Sequence, residues 1–247
     1  GTFAAQNLLL FFVFWEAVLI PMLLLILVYG GGERRRAAFT FFLVTMAGSV
    51  LLLAAVILLG ALHWHETGAW SFDYDALAAL HLSPTVQWFV FGAVALACAV
   101  KSPLVPFHAW LPLTYREASP AGTALMAGVL SKMGAYGFIR LAVPFAPDVA
   151  PLAAPWMMLL AAVSIVYGAI AALRQARPGD VVAYSSLSHM GFIVLGIFAL
   201  QATALQGALL QMLSHGVVAA GLFLLLGLLE QRDDAGGALA LRAPRLA

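Results

Sequence analysis

Apolar residues run along this chain in long blocks separated by short polar or small-residue gaps, at 3–29, 37–62, 84–113, 120–143, 153–173, 181–200 and 205–229. A bilayer core takes about 20 mostly apolar helical residues per crossing. The pattern therefore predicts seven transmembrane helices and an all-α, polytopic membrane protein. The third block is interrupted by Ser102-Pro103-Leu104-Val105-Pro106. A residue before proline is pushed out of α geometry, so Pro103 and Pro106 predict a broken helix that ends just after Lys101, with a second half-helix over about 105–116. Irregular backbone at that depth is tolerated only where protein or a water-filled cavity surrounds it.

Composition agrees with a lipid environment. Charged residues make up 9% of the chain and mean hydropathy is +1.00, where soluble domains carry roughly 25% charged residues. The net charge of +1, the lack of a basic run and the lack of Cys/His ligand spacing argue against nucleic-acid binding and a structural metal. Cys98 is the single cysteine and allows no internal disulfide. The start at Gly1, directly into an apolar stretch without a basic n-region, reads as a fragment or processed form rather than a signal peptide. Arginines follow the first (34–36), third (116), fifth (174, 177) and last (232, 242, 245) blocks, while 63–83, 144–152 and 201–204 carry neither Lys nor Arg. The positive-inside rule then places the chain's start outside and its end in the cytoplasm. Residues 1–232 form the expected transmembrane domain, and 233–247 a cytoplasmic tail or the start of a further connection.

Both lysines, by contrast, fall inside apolar blocks. Glu16, Lys132, His189 and His215 lie near the centres of the first, fourth, sixth and seventh blocks, and Lys101 lies at the break in the third. A charge at mid-bilayer costs about 2.5–3.5 kcal/mol even on lenient insertion scales, so such groups face one another or water and mark an ion or proton path. Five at one depth predict a polar axis in the membrane plane. The proton affinity of an ammonium in lipid depends steeply on whether a carboxylate is close, so a Glu16/Lys101 pair that opens and closes can release or take a proton. Pro21 removes a backbone hydrogen bond beside Glu16, and the carbonyls at a half-helix end favour the Lys101 cation. Histidine exchanges protons near neutral pH. One-turn spacing supplies polar neighbours, with Ser185 and Ser188 around His189 and Gln211 and Ser214 around His215. Competing readings are a structural ion pair for the Glu or the lysines and an interhelical hydrogen bond for each histidine. His108 and Trp110 read as interfacial or gating residues. His63, His65 and His81 fall in or beside the outer loop, and Arg140 snorkels. Small residues from Ala124 to Gly137 read as close-packing positions around Lys132.

At this point the sequence resembles a known family. The stretches Lys101-Ser-Pro-Leu-Val-Pro-Phe-His-Ala-Trp-Leu-Pro112, Glu117-Ala-Ser-Pro-Ala-Gly122, Leu130-Ser-Lys-Met-Gly-Ala-Tyr-Gly-Phe-Ile-Arg140, Ala183-Tyr-Ser-Ser-Leu-Ser-His-Met-Gly-Phe192 and Gln211-Met-Leu-Ser-His-Gly216 look like the proton-antiporter-type membrane subunits of NADH:quinone oxidoreductase, respiratory complex I. Phe14-Trp-Glu-Ala-Val-Leu-Ile-Pro-Met22 fits the same family, with subunit M (chain 4) the best match. The resemblance implies part of an inverted-repeat antiporter-like fold. It also implies a modulating Glu16/Lys101 pair, a central proton-carrying Lys132, and His189 and His215 continuing the axis. It further implies a translocase subunit with no redox site of its own, since NADH, FMN, iron–sulfur clusters and quinone belong to partner subunits. The expected partners are other membrane subunits and the lipid bilayer of a bacterial inner membrane, with protons as the sole small substrate. A related subunit of a membrane-bound hydrogenase or of a multi-subunit sodium/proton antiporter stays open as an alternative, and a seven-helix receptor or retinal protein is the remote one.

Overall fold

The computed structural model describes residues 1–234, so of the expected tail at 233–247 all but the first two residues lie outside the described part. Among the described residues every regular element is helical, and the β-type pairing is an isolated bridge between Asn7 and Asp73. Among the described residues six helices are long and apolar enough to cross a membrane: α1 (Leu8–Tyr29), α2 (Arg34–Thr67), α4 (Pro84–Lys101), α7 (Val149–Leu173), α8 (Pro178–Phe198) and α9, which spans Ala202–Asp234. Two short helices stand between them, α3 (Tyr74–Ala78) in the 68–83 connection and α5 (Trp110–Glu117) after the break.

The seventh expected crossing is a helical rod, α6, at 120–142. It consists of α turns at Pro120–Leu125 and Ser131–Gly137 alternating with π turns at Met126–Leu130 and Phe138–Ala142. The π turns re-register the backbone ladder from four-residue to five-residue steps. The amide of Ser131 reaches back to the carbonyl of Met126. Helix α1 is interrupted at Val18, three residues before Pro21, as expected where a proline cannot donate.

The break in the third block falls where the prolines place it, directly after Lys101, but the second half-helix starts at Trp110 and not near Val105. The Val105 amide donates to Ser164 Oγ on α7 at 3.0 Å, which ties the segment before the half-helix to a neighbouring helix. Three carbonyls at the end of α4 are satisfied by the chain itself. Ser102 N bonds Cys98 O at 2.7 Å, Leu104 N bonds Ala99 O at 2.9 Å, and Trp110 Nε1 bonds Val100 O at 3.0 Å. These bonds pair three backbone carbonyls of the buried break away from water.

Helices α8 and α7 pack closely because a Cβ at Gly168 would sit 2.7 Å from Ser188 N, and one at Gly191 2.8 Å from Ala161 O. Glycine permits the approach, and dispersion between the facing backbones holds it where lipid supplies no hydrophobic drive. Many large apolar side chains, among them Leu210, Leu213, Val217 and Trp156, point outward, as on a surface solvated by acyl chains. At one end, the Arg116 guanidinium forks onto Asp180, Nε–Oδ1 3.2 Å and Nη2–Oδ2 2.7 Å, joining α5 to α8. At the other, Arg140 donates to Gln6 Oε1 at 3.2 Å and lies over the Tyr74 ring, 4.4 Å from its centroid.

Candidate functional site

Lys132 is carried by the α turn that follows the first π turn of α6, and its side chain is 5% exposed. Its ammonium makes three hydrogen bonds, to the Ala127 carbonyl, to Ser131 Oγ at 3.2 Å and to His215 Nδ1 at 2.7 Å. An ammonium has three N–H groups, so the set is complete. A donor facing Nδ1 makes that nitrogen the acceptor, which leaves the proton of neutral His215 on Nε2. That nitrogen lies 3.3 Å from Ser186 Oγ on α8.

Packing creates this meeting. A Cβ at Gly216 would lie 2.9 Å from Gly128 O, so α9 and α6 touch backbone to backbone one turn below Lys132, and His215 comes within reach. The small residues read from the sequence as close-packing positions do that here. On the opposite face of α6, a Cβ at Gly134 would lie 2.6 Å from Cys98 O, which seats the end of α4 against the same helix.

His189 stands beside His215, with ring centroids 5.1 Å apart, and its Nδ1 accepts from Gln211 Nε2 at 3.1 Å. The sequence reading assigned Gln211 to its own-helix neighbour His215, but its amide crosses to α8. Ser188, expected beside His189, instead donates to Ile165 O at 3.0 Å. Ser186, three residues before His189 on α8, has its partner on another helix, so one-turn spacing does not find its contact with His215.

Lys101, 1% exposed, donates to the Trp15 carbonyl at 3.1 Å and sits over the Trp15 ring, 4.8 Å from its centroid. Trp15 is pinned from the other side by Nε1 to Ser49 Oγ at 3.0 Å. Glu16, the next residue along α1, is half-buried, and its Oε1 is buried without a hydrogen-bond partner. The ion pairs among the described residues are Arg36–Glu33 and Arg116–Asp180, so Glu16 and Lys101 are neighbours through Trp15 and not a closed pair. The five sequence-derived residues thus fall into two groups. Lys132, His215 and His189 form one connected set, and Glu16 with Lys101 forms another. Helix α6 packs between α4 and α9, and no direct hydrogen bond joins the groups among the described residues. His108, in the break, has a buried Nδ1 without a partner and packs edge-on against Tyr167 at 4.9 Å. No group of three or more His, Cys, Asp or Glu that could hold a metal occurs among the described residues.

The chain matches, over residues 5–240, the family described as NADH:quinone oxidoreductase/Mrp antiporter, transmembrane. It is 42% identical over 238 residues to NADH-quinone oxidoreductase subunit M of Pseudomonas aeruginosa, covering 94% of this chain and 47% of that one. It superposes on a chain of respiratory complex I from Thermus thermophilus with bound NADH with a TM-score of 0.86 and 41% identity, covering 94% of this chain and 49% of that one. A chain of the Mrp complex from Dietzia sp. gives a TM-score of 0.85 with 26% identity, over 100% of this chain and 26% of that one. The chain therefore spans about half the length of the curated relatives it matches.

Proposed function

This chain belongs to the NADH:quinone oxidoreductase/Mrp antiporter transmembrane family, and we propose that it is the proton-carrying part of a subunit M (chain 4) in NADH:quinone oxidoreductase. The identity to subunit M, well above that to the Mrp chain, supports this assignment over an antiporter subunit. In this reading protons move through the membrane interior along Glu16, Lys101, Lys132, His215 and His189. The observation that carries it is the Lys132–His215 contact, because a buried ammonium hydrogen-bonded to an acceptor imidazole nitrogen is a donor and acceptor already in line.

Glu16 biases the path from α1. With one carboxylate oxygen unpartnered and Lys101 held nearby on the Trp15 carbonyl, a small side-chain movement would make or break their ion pair and change how firmly Lys101 keeps its proton. The electron chemistry belongs to other subunits, where NADH, FMN, iron–sulfur clusters and quinone are bound, and this chain works against neighbouring membrane subunits. The arginine distribution supports a start outside and an end in the cytoplasm, and the likeness to a bacterial subunit M supports a bacterial inner membrane.

The test is Lys132→Ala in the assembled complex. Proton pumping should be abolished or sharply cut while the subunit still inserts and assembles, and pumping at the normal rate would make this lysine structural.

A further inference from the structure

We infer that Ser186 is a positioning residue for proton transfer, holding the His215 ring in line with Lys132 and accepting its Nε2–H; the inference rests on the pathway proposed above. Hydroxyls inside apolar helices bond back to their own backbone, and Thr45, Ser49, Thr114, Ser131 and Ser164 do so here, each to the carbonyl four residues earlier. Ser186, 5% exposed, does not. Among the described residues the one hydrogen-bond partner of its hydroxyl is His215 Nε2, on another helix.

The consequence follows from counting donors. All three Lys132 N–H groups point at acceptors, one of them Nδ1. In the Nδ1–H tautomer two donors would face each other across 2.7 Å and no transfer could occur. The lysine donor thus sets the tautomer, and the Ser186 hydroxyl, able to accept as well as donate, takes the Nε2–H that results and holds the ring in line. Transfer then moves one proton from Lys132 Nζ to His215 Nδ1. It leaves a neutral amine and an imidazolium whose second N–H already rests on Ser186 Oγ. His189 is held the same way, with the Gln211 amide as donor to its Nδ1. Both rings of the pair therefore carry their neutral-state proton on Nε2.

The experiment compares Ser186→Ala, Ser186→Thr and Ser186→Cys with the native residue in the assembled membrane complex, measuring electron transfer, proton pumping and the amount of complex. Ser186→Ala should lower pumping by about threefold to tenfold with unchanged assembly, Ser186→Thr should restore it because the acceptor oxygen returns, and Ser186→Cys, a weaker acceptor of similar shape, should fall between. Native pumping in Ser186→Ala, or a loss in Ser186→Ala and Ser186→Cys alike that the hydroxyl of threonine does not repair in an assembled complex, overturns the inference. Should threonine prevent assembly, a Ser186→Cys rate equal to that of Ser186→Ala overturns it and an intermediate rate supports it. Lys132→Ala separates this from the parent reading. If that variant is inactive while Ser186→Ala is normal, only the role of Ser186 fails, whereas normal pumping in Lys132→Ala removes the pathway itself.

Discussion

The ammonium of Lys132 and Nδ1 of His215 lie 2.7 Å apart on two helices that meet at Gly128 and Gly216. The contact is long-range in sequence and depends on glycines at the crossing. It sets the chemistry of the site, since it turns a costly buried charge into one end of a donor–acceptor pair.

Replacing His215 with Leu should leave one Lys132 donor without its acceptor and cut proton pumping by about tenfold or more, which corresponds to about 1.4 kcal/mol or more of barrier. Pumping measured in vesicles at matched electron-transfer capacity checks this. A native rate in the leucine variant would take His215 out of the path.

Gly216→Val should be more damaging than its small size suggests. The new Cβ would press on Gly128 O at 2.9 Å, forcing α6 and α9 apart at a cost of about 1–3 kcal/mol and lengthening the Lys132–His215 bond. Thermal stability of the complex in detergent and pumping should fall together. Gly221→Ala, where a Cβ meets nothing within 4 Å, is the matched control and should change neither.

Glu16→Gln removes the charge that can pair with Lys101 while keeping the shape of the side chain. Coupled turnover should drop severalfold and its pH profile should move, because Lys101 would no longer alternate between paired and unpaired surroundings. A native rate and profile would separate Glu16 from Lys101.

Trp110→Phe tests the broken helix. The indole N–H satisfies the Val100 carbonyl beside Lys101, and Trp110 is 1% exposed. Leaving that carbonyl unpaired in a buried break should cost about 1–3 kcal/mol, seen as a lower unfolding temperature of the complex. An unchanged temperature would mean that another donor replaces the indole.

Asp180→Asn weakens the fork from Arg116 that ties α5 to α8. Asp180 is 4% exposed but the Arg116 side chain is 42% exposed, so solvent screens the pair, and the loss should be about 1 kcal/mol rather than the value for a fully buried pair. Protease sensitivity at the 174–177 turn should rise, and no change there would mean that packing alone holds the two helix ends.

The sequence by itself determined the membrane-spanning helices, the break after Lys101 and the identity of the intramembrane ionisable residues. Each depends on local physics: the cost of charge in lipid and the geometry of proline act on a residue wherever the rest of the chain goes. The course of the segment before the second half-helix could not be read the same way, because it is tied across to α7, where the Val105 amide meets Ser164, a partner 59 positions away. Nor could the π turns of α6, which shift a backbone that reads as an ordinary apolar helix. The partners of the polar groups were decided by the tertiary structure alone. Gln211 turned to His189, Ser186 to His215, and Lys101 to a tryptophan carbonyl. Helical periodicity names only the neighbours on a residue's own helix, whereas in lipid a buried polar group must find its partner across the interface that glycine packing brings within reach.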